Sequence, residues 1–443
     1  MTAATATSRR PAASHLFRSE RVAVADLLDL EAARSIDAEN ATEPVFYWEH
    51  PSEDEAWLAH GAVAHFIGRG HHAVERARRK AVAALQRALP APGETAAPRV
   101  VGGFAFAPEI EPEAGWSGYP PAWFFLPRRL WIRQGSRCEL IECEDSAGVA
   151  PAPRAAPGRL VDEADSAWCE RVEAALADIG RGTFDKVVLS RSRSFPGLRP
   201  TLRSVLATLR STRPQCYTFA LRTHGSVFFG STPELLVERQ IGRFVCPALA
   251  GTSRRSGDPQ RDAELAEALL ACPKNRREHA AVVAGIRAAL APLPLRLDAD
   301  QDPHVIELPE AIHLRTPIAG RGAEALDVLQ LASVLHPTPA VCGAPRDAAA
   351  TLLRRTEAQR GWYTGGIGWM DAAGDGEIAV GLRSALIADG SLSVFAGAGI
   401  VAGSEPRAEL EETRIKMEAM LAPLRATAET GASDTPAPQA WSA

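Results

Sequence analysis

Two rhythms of apolar residues run along the chain. A period near 3.6 marks helices and a period of two, or a short unbroken apolar run, marks strands. In the first third, "HHAVERARRKAVAALQRAL" (71–89) has the helical period, and "VVGGFAF" (100–106), "AWFFLPRRLWIRQ" (122–134) and "RCELIEC" (137–143) read as strands. Further on, "SAWCERVEAALADIGRG" (166–182) is an amphipathic helix stopped by glycine, and it leads into the strand "FDKVVLSRS" (184–192). "CYTFALRTHGSVFFGSTPELLVER" (216–239) predicts a hairpin turning at His224–Gly225. Residues 262–293 read as helix, with a break or kink at Pro273. "GWYTGGIGWMD", "GEIAVGLRSALIA" and "SLSVFAGAGIVAG" predict an antiparallel meander joined by "AAGDG" and "DGS". "SEPRAELEETRIKMEAMLAPL" (404–424) is a last helix with Pro406 near its start. Long helices interspersed with hairpins and meanders predict an α+β fold, with antiparallel sheet in the core and helices packed outside. No GxGxxG sits between a strand and a helix, so dinucleotide binding is not expected.

Composition narrows the class. The 443 residues are 46% hydrophobic and 23% charged, with a net charge of −5, an ordinary globular balance. Arginine runs such as "ERARRK" (75–80) and "SRR" (253–255) are short and read as solvated helix face or loop, so no nucleic-acid surface is expected. Seven cysteines show no CxxC and no Cys/His ligand spacing, which predicts reduced thiols and a cytoplasmic protein. Cys138 and Cys143 are five apart, hence on opposite faces of their strand. The N-terminus has no apolar signal core, and no apolar run of membrane-spanning length exists. Residues 1–15 and the tail 427–443 are Ala/Ser/Thr/Pro-rich and are expected to be disordered. Residues 145–159 read as a surface linker within one large domain, 16–426, dividing an N-terminal part (16–144) from a motif-bearing core (160–426).

Several charges sit where chemistry could use them. Lys186 lies just inside the apolar run Val187–Leu189, either as a solvated edge charge or as a lysine brought indoors. Glu234 follows Ser-Thr-Pro after a strand. It reads either as a helix N-cap or first-turn acid, or as a half-buried carboxyl poised for general acid work. Glu409 and Glu412 share one helix face, with Lys416 a turn beyond; taken alone this is an ordinary i,i+4 surface pair. Glu278 lies on another helix, one turn from Asn275. Two carboxylate-bearing helices facing each other could hold Mg²⁺, which takes one or two protein carboxylates, keeps water and leaves room for an anionic substrate oxygen.

Together these segments resemble the chorismate-utilising enzymes, specifically their isochorismate synthase branch. The likeness is dense over 165–422 and is carried by "FDKVVLSRS", "FFGSTPELLVER", "PALAGTSRR", "KNRREH", "IHLRTPIAG", "LHPTPAVCGAP", "GWYTGGIGWMD", "IAVGLRSALI" and "FAGAGIVAGSEPRAELEETRIKM", in family order. It implies a single chorismate-binding domain. It implies Lys186 as the general base that activates water, which must therefore give up its proton near neutral pH, as burial or neighbouring cations favour. Glu234 would protonate the departing hydroxyl. Glu278 and Glu412, with Glu409 directly or through water, match the family's Mg²⁺ ligands, and Asn275 stands where relatives often have an acid. Tyr363 and Arg383 match residues that hold the enolpyruvyl carboxylate, with Gly399 lending backbone N–H and Lys416 acting as a substrate-site cation. Thr252 and His313 line the pocket in relatives, although His313 also reads as a core histidine bonded to its own backbone. His279 and His336 read as structural or outer-support histidines.

Branch features follow. Amination would call for a glutaminase partner, and the lysine base argues against one. Ala250 stands where some aminating relatives carry a lysine nucleophile. Ala340 and Val341 follow the isochorismate synthase pattern, where salicylate synthases tend to have Thr. The expectation is a monomeric, Mg²⁺-dependent isochorismate synthase. A salicylate synthase is the alternative within the family, and a non-catalytic binding paralogue the alternative outside it.

Overall fold

Alternation along individual strands builds the architecture. On Val45–His50, Val45 and Tyr47 enter one core while Phe46 and Trp48 enter another. On Ala122–Gln134, Trp131 joins the first, and Leu130 and Ile132 the second. The sheet is thus covered on both faces, which is why such strands read as nearly unbroken apolar runs. Cys138 and Cys143 obey the same rule and fall into opposite cores. Burying side chains the size of Trp48, Trp57 and Phe124 to 2% exposure or less contributes about 1.5–3 kcal/mol each.

A computed structural model describes residues 16–38, 41–90, 97–144, 151–158, 160, 162–299, 301–308, 311–357 and 360–428. Among these, twenty strands join through hydrogen bonds into one branched network. Every strand pairing is antiparallel except Leu16–Val22 with Leu89–Pro90. Helices lie on the outside, giving one large α+β domain.

Most expected elements are present: the helix Ala73–Arg87, the hairpin of Tyr217–Thr223 and Ser226–Thr232, and the helix Asp165–Gly180. Residues 262–293 form two helices, Pro259–Ala271 and Pro273–Leu290, because Pro273 lacks the N–H that would continue the first. The expected meander is divided. "GEIAVGLRSALIA" breaks into Gly376–Val380, paired with Gly366–Asp371, and Ser384–Ala388, paired with Ser391–Val401. Between them Arg383 takes the left-handed φ of 45°. The expected disordered ends 1–15 and 429–443 lie outside the described residues, but Thr427 and Ala428 belong to the last helix, Pro406–Ala428. Of the 145–159 linker, residues 151–158 are described. They run over the surface and are pinned by a bridge between Arg154 and His224 and by the buried Ala152. Among the described residues no helix is long and apolar enough to cross a membrane, and all seven cysteines are free.

Candidate active site

The site is assembled on one strand, Lys186–Pro196, whose two faces have different tasks. Val187 and Leu189 enter a core shared with Trp168, Val172 and Leu353. Lys186, Val188 and Ser190 point the other way and line a cavity of about 260 Å³. Alternation therefore settles the two readings of Lys186: it is 8% exposed and faces the cavity, not the solvated sheet edge. Its Nζ donates to Glu278 Oε1 at 2.7 Å. Of the two expected surroundings, burial or neighbouring cations, the lysine has burial, and the group against Nζ is a carboxylate. Gly399, in the adjacent strand, leaves the space the lysine stem needs: a Cβ there would lie 3.0 Å from Lys186 Cε.

Glu234 sits in the two-residue link between Ser226–Thr232 and Leu235–Gln240, not at a helix start. Thr232 and Val380 fix its backbone. Its N–H donates to Thr232 Oγ1 (3.3 Å), and its carbonyl accepts from Val380 N–H (2.8 Å). Only 7% of the residue is exposed, and burial pushes its carboxyl up to about 7 against the pull of Arg383 and Lys186. A carboxylic acid that keeps its proton near neutrality can donate it.

Arg383 lines the same cavity at the break between two strands. Its left-handed backbone costs about 1–3 kcal/mol, and such strain persists only where surroundings over-determine it; here Ser231 N–H holds the Arg383 carbonyl at 3.0 Å. Tyr363, 3% exposed, stacks on Phe395 at 5.3 Å and also faces the cavity. Thr252 and His313 stand opposite each other on paired strands, with Thr252 Oγ1 3.0 Å from His313 Nδ1. His313 lines the cavity, and among the described residues its buried Nε2 has no hydrogen-bond partner. Burial, with Arg383 and Lys416 adding to it, pulls this imidazole down to about 3, so it is neutral. Gly399 pairs with Val188, whose N–H is committed to the Cys342 carbonyl and whose own carbonyl accepts from Arg360. The 188/399 pair is therefore a non-hydrogen-bonded one, and the Gly399 N–H is turned away from that strand. Ala340 and Val341 complete the wall.

The helices Pro273–Leu290 and Pro406–Ala428 close the cavity with Glu278, Glu409, Glu412, Lys416 and Asn275. Their donor chemistry suits a hard divalent cation. Glu409 is raised by burial and by Glu412, against the pull of Lys416 and Lys274. Glu278 is tied to Lys186 and Glu412 to Lys416 (2.6 Å). Among the described residues no group of three or more His, Cys, Asp or Glu side chains stands close enough to hold a metal. The residues fit Mg²⁺ by type, and they would have to leave their lysines to bind it.

His279 and His336 are structural. His279 spans the Ala250 carbonyl (3.1 Å) and Thr316 Oγ1 (2.8 Å), and His336 Nε2 meets the Phe106 carbonyl at 2.9 Å. Sequence reasoning missed Arg360 and Glu357. Arg360 joins Val188 O on the lysine strand (2.7 Å) to Val341 O on the opposite wall (2.8 Å). Glu357 holds Arg360 and accepts from Ser190 N–H and Oγ. The only signal was a charged pair three apart in "EAQR", which resembles countless surface pairs.

A branched antiparallel sheet around a lysine, a raised glutamic acid and a paired Arg/Tyr wall defines the class. The chorismate binding enzyme family model matches residues 6–144 and 148–425. The chain is 36% identical over 411 residues to a salicylate biosynthesis isochorismate synthase of Pseudomonas aeruginosa, covering 85% of this chain and 84% of that one. It is 32% identical over 359 residues to the isochorismate synthase MenF of Bacillus subtilis, covering 74% of each. Among solved structures, the menaquinone-specific isochorismate synthase MenF of Escherichia coli superposes with a TM-score of 0.76 at 28% identity, over 94% of this chain and 96% of that chain. The chain belongs to the chorismate binding enzyme family, in its isochorismate synthase branch.

Proposed function

We propose that the protein is a Mg²⁺-dependent isochorismate synthase that converts chorismate to isochorismate. The observation that carries this is the joint presence, on one small polar cavity, of Lys186 and of a buried Glu234 whose carboxyl is raised to about 7. Lys186 takes a proton from water as that water adds to one ring carbon, and Glu234 gives its proton to the hydroxyl leaving another. The ring double bonds shift between the two. Arg383 and Tyr363, with the Gly399 N–H, hold the enolpyruvyl carboxylate, and Lys416 supplies a second cation. Neutral His313, oriented by Thr252, offers the ring a hydrogen bond without a charge. Glu278, Glu412 and Glu409 are the residues that would hold Mg²⁺. When bound, it supplies positive charge for the ring carboxylate.

The protein acts in this reading as a cytoplasmic monomer without a glutaminase subunit. Incubating it with chorismate and Mg²⁺ and separating products by chromatography and mass spectrometry tests the assignment. Isochorismate without pyruvate is the expected result. Salicylate with pyruvate would move the chain to the salicylate synthase branch and remove the weight placed on Ala340 and Val341. No turnover would mark a binding paralogue.

A further inference from the structure

Glu234 borders a second, larger cavity. This one measures about 780 Å³ and shares only Pro233, Glu234 and Leu249 with the catalytic cavity. Among the described residues the Glu234 carboxyl has no protein hydrogen-bond partner, although the residue is 7% exposed. It therefore stands as a partition between two spaces, one holding Lys186 and one not.

The rear cavity is lined by acids. Glu238 and Glu377 stand directly opposite each other on paired strands, and Glu53 and Glu55 join them from the N-terminal part. Arg99, Arg239 and Arg315 are the arginines on its wall; Arg239 is paired with Asp375, and Arg99 lies over the rings of Trp57 and Trp369 at 4.3 and 5.0 Å. Like charges directly opposite are unfavourable in a sheet unless one of them is protonated. Burial and the surrounding glutamates accordingly push Glu377 up to about 8 and raise Glu238. The value for Glu377, about 8, lies close to that for Glu234, about 7, and Glu238 is shifted in the same direction.

The reaction assigned above creates a demand for such a supply. Each turnover moves one proton from water to Lys186 and one from Glu234 to the departing hydroxide, which leaves as water. The substrate's atoms balance, but the enzyme is left with Lys186 as ammonium and Glu234 as carboxylate. Glu234 must regain one proton and Lys186 must lose one before the next cycle. With ligand in the front cavity, the rear cavity is the remaining water-sized approach to Glu234.

We propose that Glu234 is reprotonated from the rear cavity, with Glu238 and Glu377 passing protons from bulk water, so that acid and base are reset on separate sides. This rests on the assignment of Glu234 as the general acid. Glu238 and Glu377 are then positioning and relay residues; neither touches the substrate.

The test is the E238Q/E377Q double variant. With enzyme in excess, its first turnover should match the unaltered protein, because Glu234 starts loaded. In dilute, bulky buffer its steady-state kcat should fall roughly tenfold with kcat/KM unchanged, since only the reset between turnovers is slowed, and by less than the full loss of a general acid. Imidazole, a small proton donor, should restore it. A steady-state rate equal to that of the unaltered protein in both buffers would overturn the relay. So would a slowed first turnover that imidazole does not rescue, which would mark a structural role. Glu234→Gln separates the two levels. If it is slow in the first turnover in every buffer, the acid assignment stands whatever the double variant does. If it turns over normally, acid and relay fall together.

Discussion

Lys186 Nζ and Glu278 Oε1 stand 2.7 Å apart, tying the first residue of a strand to a helix ninety-two residues further along the chain. An ammonium in such a pair has three donors and no lone pair, so it accepts no proton until the pair opens. The resting arrangement is thus a charge-paired one in which the assigned base and an assigned metal ligand occupy each other. The second pair, Lys416 with Glu412, repeats the pattern across the cavity. If the assigned roles hold, both pairs must open when substrate and metal bind.

Lys186→Ala should abolish chorismate hydration, by about 10²–10⁴-fold or more, since a general base is removed outright. The fold should survive. The strand keeps its pairing with residues 391–401, and Glu278, with 29% of its side chain exposed, remains solvated. Circular dichroism and an isochorismate assay on the same preparation check both halves. Turnover near that of the unaltered protein would rule out the base.

Exhaustive chelation should remove activity and Mg²⁺ should restore it. Titration calorimetry gives an independent reading, in which Mg²⁺ binding should weaken at least tenfold in E278Q and E412Q, as ligand loss does elsewhere. Activity that persists after chelation and dialysis would dismiss the metal assignment.

The pH dependence follows from Glu234. Its carboxyl is raised from 4.5 to about 7 by burial, and the proton-bearing form is the active one. Forward kcat/KM should therefore decline as pH rises through about 7, and Glu234→Gln should lack that limb. Linkage gives the same group, and Glu377 with it, a defined effect on stability. An acid whose folded-state value is raised stabilises the fold fully below its unfolded value and loses that contribution as pH rises through the folded one. Stability should thus fall between pH 4.5 and about 8. Glu377→Gln should flatten the decline, most at its upper end. Urea midpoints at several pH values measure it.

Much of this was legible in the sequence because local rules and the fold agree. Alternation in "KVVLS" put Lys186 on the face opposite Val187 and Leu189, and helical spacing put Glu409, Glu412 and Lys416 together. The resemblance supplied partners that spacing alone could not, such as Glu234 with Lys186, which line one cavity, or Thr252 with His313, which meet through sheet register. Two things stayed hidden. The strands Val45–His50 and Glu55–Gly68 have apolar faces on both sides, which leaves no alternation to count. The break at Arg383 is set by backbone strain rather than by a Gly or Pro, so "GEIAVGLRSALIA" reads as one strand. The ion pairs of the glutamates were hidden for a different reason. Sequence spacing places carboxylates on helices, but which cation each one holds is decided by competition with nearby lysines.

The buried Arg360–Glu357 pair offers the last test. Arg360 and Glu357 have 1% and 3% of their side chains exposed, and Arg360 adds a side-chain clamp between Val188 O of the lysine strand and Val341 O of the opposite wall. Arg360→Met keeps the apolar stem but strands two backbone carbonyls and part of a buried carboxylate. Breaking a buried pair of this kind costs about 3–5 kcal/mol. Glu357 keeps Arg171 at 2.9 Å, which places the expected loss toward the lower figure. The comparison is Arg354→Ala. That arginine pairs with Glu109 on the surface, with 45% of its side chain exposed, so its loss should cost no more than about 1 kcal/mol. Urea unfolding of the two variants side by side decides the matter. Equal midpoints would mean that the clamp contributes nothing. A large shift for Arg360→Met alone, with kcat lowered further than the folded fraction explains, would mean that the spacing between Lys186 and the opposite wall is set from behind the strand.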